Sequence, residues 1–583
     1  MASPRPLIRI LVLGLTGLLV FTSPLAAQRV ALEAPHGLVT SAHRLASEAG
    51  VEILRRGGNA VDAAVATGLA LAVVYPVAGN LGGGGFMIIH LADGRDTVID
   101  YRETAPAAAR QKMYLNAHGD VTAGEGSSTV GWRASGVPGT VAGFAFALEK
   151  YGSGQVSWAD VVTPALRLAK EGHPLSQGAA ASLRRETELL GQFPSSRAIF
   201  LRDGNFWNQG ELFVQPDLAA TLARLQSHGP REFYEGETAR LIADAMTTHH
   251  GTISLADLAA YQVVERSPLR GRYRGYDIVT MPPPSSGGIC LLQMLTMLEP
   301  HDVSALGHNS AAKYHLFAEV MKRAFRDRAE YLGDPGFVDV PVVALLDPDY
   351  LRKRMAGFTP KRATPSSEIA PGLGSLVAPR PPESTETTHY SVVDAAGNAV
   401  SNTYTLNGAY GSGVTIPGTG VLMNNEMDDF TSKPGTPNMF GLIQGEANAI
   451  APGKRPLSSM TPTLVFKDGQ LFLATGSPGG PTIINTVLQI ISNVVDHDMP
   501  VMAAVEAPRI HHQWMPDVLT YERYGMSPDT ERLLREMGYT LQQRDSYEGA
   551  YQGDAETVMI DPVTGLRLGA ADPRKTDSAA VGY

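Results

Sequence analysis

The chain of 583 residues has a single cysteine, Cys290, so no intramolecular disulfide can form. That thiol lies in an apolar stretch, which suits an inert core residue better than a nucleophile. Charged residues are sparse at 18%, the net charge is −10, and no basic tract stands out. Nucleic acid is therefore a poor candidate partner. No pattern of metal ligands emerges either. His249-His250 and His511-His512 are adjacent pairs, and neither has a carboxylate or third ligand at zinc spacing. The run Asn80-Leu81-Gly82-Gly83-Gly84-Gly85 lacks the Lys-Ser/Thr ending of a phosphate loop and sits after a helix and before a strand, the wrong order. Its glycines suit a close approach of two backbones instead. No cofactor is expected.

Long apolar runs are also missing. Residues 60–74 are apolar almost all round but too short to cross a bilayer, and they read as a helix buried between layers. Residues 10–21 form a second apolar run, preceded by Arg5 and Arg9 and followed by Ser-Pro-Leu-Ala-Ala. This is the pattern of a cleaved secretory signal over residues 1–27, with no membrane anchor left afterwards. No cysteine lies near the cleavage point, which excludes a lipoprotein anchor. The absence of disulfides alone would suggest cytoplasm, but the signal points to the periplasm or the exterior.

With 44% hydrophobic residues, the chain can bury a large core. Residues 42–56 have helical periodicity and stop at Gly57-Gly58. Strands are expected over 86–91 and 97–101, the second delivering Arg102 at its end. Residues 137–354 read as mainly helical, interrupted by the rigid run Met281-Pro-Pro-Pro-Ser-Ser-Gly-Gly288. Two strands over 463–466 and 471–475 flank the hairpin signal Asp468-Gly469. The second ends in Gly476-Ser477-Pro478-Gly479-Gly480, and a helix is expected from Pro481 to about residue 495. Bare N–H groups at such a helix start can stabilise a developing oxyanion. An ordinary glycine-rich turn has the same composition. Strands beside a buried apolar helix, with amphipathic helices elsewhere, suggest stacked layers of sheet and helix.

The most telling boundary is at Thr387. Residues 364–386, rich in Pro, Ser and Gly, have the composition of an exposed, flexible segment. From Thr387 the pattern turns to strand. A threonine hydroxyl is a weak nucleophile until a base adjoins it, and a freed N-terminal amine is such a base. A three-residue loop over 395–397 would pair Asp394 with Asn398, Ser391 with Ser401, His389 with Thr403, and Thr387 with Thr405. Asn407 follows two residues on. The alternative is a plain polar hairpin, and a one-residue slip would remove the pairing.

The runs TTHYSVVDAAGNAVSNTYTLN, NNEMDDF, KRPLSSMTPT and GSPGG resemble the gamma-glutamyltransferase (gamma-glutamyltranspeptidase) family, as do GGNAVDAAVA, GNLGGGGFM, DYRETAP and MPPPSSGG upstream. The resemblance covers nearly all of the chain after the first thirty residues. It implies a four-layer αββα sandwich, the N-terminal-nucleophile hydrolase fold. It implies a precursor that cuts itself between Glu386 and Thr387. Residues 28–386 and 387–583 would then be the large and small subunits of one heterodimer sharing a single fold.

The resemblance also implies roles. Thr387 is the nucleophile, Thr405 the threonine beside it, and Gly479 and Gly480 the oxyanion-hole pair. Arg102, Ser458 and Ser459 match the groups that bind the donor carboxylate. Asn407, Glu426 and Asp429 match those that bind its ammonium, and position 426 varies in the family between Gln and Glu. Residues 431–448 resemble the family's lid loop, with Phe440 where several relatives carry Tyr. Glutathione and related gamma-glutamyl compounds would be donors. Water, amino acids or dipeptides would be acceptors. Two other readings remain: a glutaryl or cephalosporin-type acylase of the same fold, and a non-catalytic periplasmic binding protein.

Overall fold

The computed structural model describes residues 29–374, 387–545 and 551–583. The expected signal segment 1–27 and Glu386 lie outside these residues.

Local chemistry sets the two hairpins at the centre. Gly397 has φ 93°, the left-handed conformation that a three-residue loop needs. Asp394 Oδ1 accepts from the N–H groups of Ala396 at 2.9 Å and Asn398 at 3.0 Å, which closes the turn. The strands Thr388–Val393 and Ala399–Thr405 then pair antiparallel, with Val393 opposite Ala399, His389 opposite Thr403 and Thr388 opposite Tyr404. The expected register is therefore the one observed. In the second hairpin Asp468 and Gly469 have φ of 51° and 77°, joining Thr463–Lys467 to Gln470–Thr475.

Each hairpin is the middle of a seven-stranded sheet. In the first sheet the order is Ala579–Gly582, Leu38–Ser41, Thr388–Val393, Ala399–Thr405, Gly84–His90, Asp96–Asp100 and Val264–Arg266. In the second it is Leu32–Ala34, Arg567–Ala571, Glu556–Ile560, Gln470–Thr475, Thr463–Lys467, Tyr276–Thr280 and Leu269–Tyr273. All neighbours in both are antiparallel.

The alternation of side chains decides the layers. Tyr390, Val392 and Val400 turn outward from the first sheet, into a core shared with the helices Arg44–Arg55, Ala60–Val74 and Thr140–Tyr151. Val393 and Ala399 turn inward, where they meet Leu464, Ala474 and Val558 of the second sheet. The outer face of the second sheet packs Val465 and Leu473 against the helices Gly287–Leu298, Ala311–Tyr331 and Thr482–Val495. The result is helix, sheet, sheet, helix. Ala60–Val74 is buried along its whole length, and Asn59 and Asp62 close its start as a capping box.

The middle of the chain is mainly helical, as expected, and it also holds the strands Val264–Arg266, Leu269–Tyr273 and Tyr276–Thr280. Leu269–Tyr273 carries two arginines and a glycine and shows no run of apolar residues. Its conformation comes from pairing with Tyr276–Thr280, which in turn pairs with Thr463–Lys467 far along the chain. Cys290 is buried and its thiol is pushed up to about 12 by desolvation, consistent with an inert core position.

Candidate active site

Thr387 immediately precedes its strand, and the register carries it opposite Thr405 at the end of the neighbouring one. Both are buried, at 4% and 2% exposure. They end a row of polar side chains on the face between the sheets. Along that row His389 Nδ1 lies 2.8 Å from Thr403 Oγ1 and Ser391 Oγ donates to the Glu556 carbonyl at 2.8 Å. Burial drives the His389 imidazole down to about 3, so it stays neutral. The four glycines hold this edge in place. Gly84 pairs with Thr405, and a Cβ on Gly83 would stand 2.0 Å from the Thr405 carbonyl oxygen. Only bare backbone fits there.

Beyond Thr405 the chain leaves the sheet. Asn407 has φ 79°, donates from its backbone to Thr405 Oγ1 at 2.8 Å, and sends Nδ2 to the Asn425 carbonyl at 3.0 Å. This links the neighbour of Thr387 to the short turn Glu426–Asp429.

Gly479 and Gly480 stand at the start of the helix Thr482–Val495, with φ of 123° and 53°. Their carbonyls accept from Thr482 and Ile483, while neither glycine N–H donates among the described residues. A Cβ on Gly480 would meet the Phe440 ring at 3.1 Å. The bare N–H groups and the helix start together favour negative charge at this point.

The charged part of the site is compact and buried. Arg102 is 0% exposed. Its Nη2 is hydrogen-bonded to Asp429 Oδ2, and its Nη1 lies 2.8 Å from Glu426 Oε2 and 3.6 Å from Glu103 Oε2. The Glu426 contact has ion-pair distance without hydrogen-bond alignment. Both oxygens of Glu426 and both of Glu103 lack a hydrogen-bond partner. Burial raises the Glu103 carboxyl to about 8 and Glu426 well above its usual range, against the pull of Arg102. Asp429 is raised as well, chiefly by burial. Four carboxyl oxygens beside Arg102 are therefore buried without a hydrogen-bond donor.

Opposite them, Ser458 and Ser459 are held by the run expected to be rigid. The Ser458 N–H donates to the Pro284 carbonyl at 3.0 Å, and Ser286 donates from both N and Oγ to the Ser458 carbonyl, at 2.8 and 2.7 Å. Ser458 Oγ accepts from the Met460 N–H at 3.1 Å, and Ser459 Oγ accepts from Arg328 Nη2 at 3.2 Å. Neither hydroxyl donates to a protein group among the described residues, so both protons are free for a ligand.

Thr387, Thr405, Asn407, Arg102, Asp429, Ser458, Ser459 and Gly480 line one narrow cleft. Glu426 joins it through Arg102, and Gly479 through Gly480. Residues 431–448 cover it, with Phe440 and Leu442 in its wall and Asn438 Nδ2 donating to Asp429 Oδ1 at 3.2 Å. Two residues escaped the sequence reading. Glu103 had a signal, since it follows Arg102 directly. Arg328 had none, being one of several arginines in a charged helix. A larger cleft, of about 260 Å³, lies between Tyr75, Ser182, Tyr410 and Lys575 and contains none of these groups.

The chain matches the family described as Gamma-glutamyltranspeptidase over residues 46–582. It belongs to the gamma-glutamyltranspeptidase family. Across 553 residues it is 47% identical to the glutathione hydrolase proenzyme of Escherichia coli, covering 95% of this chain and 93% of that one. Among solved structures, a cephalosporin acylase from Bacillus halodurans superposes with a TM-score of 0.83 at 26% identity, over 97% of this chain and 98% of that one. The gamma-glutamyltranspeptidase of Helicobacter pylori superposes with a TM-score of 0.56 at 44% identity, over 60% of this chain and 97% of that one. Membership makes the chain an enzyme of gamma-glutamyl transfer with the N-terminal-nucleophile hydrolase fold.

Proposed function

We propose that the cleft binds the gamma-glutamyl end of glutathione and related donors as a zwitterion, and that Thr387 attacks the gamma-amide carbonyl. The observation that carries this reading is the division of the buried cleft. Asp429 in its wall, with Glu426 behind it on Arg102, supplies carboxyl oxygens, and Ser458 and Ser459 with Arg328 supply free hydroxyl protons and a cation. An α-ammonium satisfies the first and an α-carboxylate the second. Asn407, Glu426 and Asp429 hold the ammonium. Ser458, Ser459 and Arg102 hold the carboxylate, with Arg102 bridging to the acids.

For the mature enzyme, the reading requires a cut between Glu386 and Thr387. The Thr387 hydroxyl attacks the Glu386 carbonyl, the acyl group shifts from nitrogen to oxygen, and water opens the ester. The share of this chain matched by the Helicobacter pylori chain is about that of residues 28–386, which supports a large subunit ending there. The freed α-amine, ordinarily titrating near about 7.7–8.0, then takes the hydroxyl proton during attack on the donor. Thr405 orients the hydroxyl, and Gly479 and Gly480 receive the oxyanion. The leaving amine takes the proton. Water or the amine of an amino acid or dipeptide resolves the gamma-glutamyl ester.

The signal pattern over 1–27 supports export to the periplasm or exterior, as one processed heterodimer of residues 28–386 and 387–583. Among the described residues no helix is long and apolar enough to cross a membrane. The acylase reading fits the acids less well, because a glutaryl group brings no ammonium to them. The binding-protein reading leaves the Thr387–Thr405 pair and the glycine N–H groups without a task. A comparison of gamma-glutamyl and glutaryl anilides tests the donor class, and equal turnover would overturn it.

A further inference from the structure

Arg328 sits on the helix Ala311–Tyr331, fully buried, and lines the same cleft as Thr387 and Asp429. Its neighbours on that helix are matched by carboxylates. Arg323 pairs with Glu319 at 2.6 Å and Arg326 with Glu330 at 2.9 Å. Arg328 has no carboxylate within ion-pair distance among the described residues. Its Nε donates to Ser286 Oγ at 2.8 Å, its Nη2 donates to Ser459 Oγ at 3.2 Å, and its Nη1 has no partner. A buried guanidinium without a counter-ion is costly, and a fold retains one where a ligand supplies the missing charge. Arg102 differs in having Glu426 and Asp429 beside it already.

The direction of the Ser459 bond matters as much as the charge. A guanidinium only donates, so Ser459 Oγ must accept and its own proton must point elsewhere. We infer that Arg328 is a positioning residue for the donor's α-carboxylate: it turns Ser459 into a hydrogen-bond donor and supplies the positive charge that the protein leaves uncompensated. The same residue braces Ser286, whose N and Oγ hold the Ser458 carbonyl. One side chain therefore sets both serines. This inference rests on the donor-site reading above and adds to it the residue that fixes the polarity of the carboxylate end.

The test uses the full-length, self-processed protein and two anilides. One carries gamma-glutamyl; the other carries 4-aminobutyryl, which keeps the amine and lacks the α-carboxylate. Arg328→Gln should raise the gamma-glutamyl KM at least about tenfold while kcat changes less than about threefold, and should leave kcat/KM for the 4-aminobutyryl donor within about twofold. Arg328→Lys, which keeps the charge and one donor, should fall between the two. If Arg328→Gln yields no processed protein, Arg328→Lys decides by the same comparison. Equal losses on both donors, or an unchanged gamma-glutamyl KM, would overturn the inference in favour of a structural role. Failure of the unmodified enzyme to prefer the carboxylate-bearing donor would instead sink the donor-site reading itself, before any variant is made.

Discussion

Arg102 Nη1 lies 2.8 Å from Glu426 Oε2, both buried, so a cation in the wall of the cleft is already in direct contact with an acid behind it. Taking the pair apart by mutation leaves a buried charge alone, which typically costs about 3–5 kcal/mol. A zwitterionic ligand does the opposite, adding one charge of each sign beside its complement. Four consequences can be measured.

Self-cleavage should yield two chains of roughly 38 and 21 kDa after signal removal, dividing the mass by residue number. The smaller should begin with Thr387, as read by N-terminal sequencing. Thr387→Ala should remain one chain and be inactive. A fully active enzyme that stays uncut would end the nucleophile assignment.

Arg102→Lys keeps a positive charge but loses the planar fork that reaches Asp429, Glu426 and the ligand together. The gamma-glutamyl KM should rise at least about tenfold, equivalent to ~1.4 kcal/mol. Processing should survive, because Arg102 serves the donor and not the cut. An unchanged KM would remove Arg102 from the site.

Donor binding should depend on pH through the acids. The Glu103 carboxyl, buried beside Arg102, Asp429, Asp100 and Glu426, is raised to about 8, and Glu426 is raised too. Below that pH the Glu103 carboxyl carries its proton. An ammonium favours the ionised forms of these acids, so binding releases protons and affinity falls as pH drops. The donor KM should therefore increase from pH 8 to pH 6, with proton release seen by calorimetry in two buffers. A flat KM across that window would show that the acids do not meet the ammonium.

Glutaryl amides test the same acids from the other side. Without the ammonium the carboxyls have only Arg102 as a shared counter-ion, and a site built for a polar group rejects the analogue lacking it sharply. Glu426→Gln should weaken gamma-glutamyl binding modestly, since an amide oxygen still accepts a hydrogen bond. Asp429→Asn should weaken it more and narrow the gap to glutaryl substrates, because Asp429 also anchors Arg102 and Asn438. Competing the two anilides against each variant gives the ratio directly.

What the sequence determined by itself is local or nearly so. The Thr387–Thr405 pairing follows from one three-residue loop and the strict two-residue period of a strand. Asp468-Gly469 announces its turn, and the apolar run 60–74 announces a buried helix. Most of the candidate site was also legible, because its residues fall in short runs that resemble one family. What only the tertiary structure decided depends on partners distant in sequence. Leu269–Tyr273 is a strand because a neighbouring strand is there to pair with, and its own residues carry no strand pattern. Arg328 meets Ser459 across 131 positions, and nothing in a helix rich in arginine marks which one lacks a carboxylate. Burial and pairing are properties of the packed chain: whether a charge is matched, and whether a hydroxyl donates or accepts, is settled only when the layers close around it.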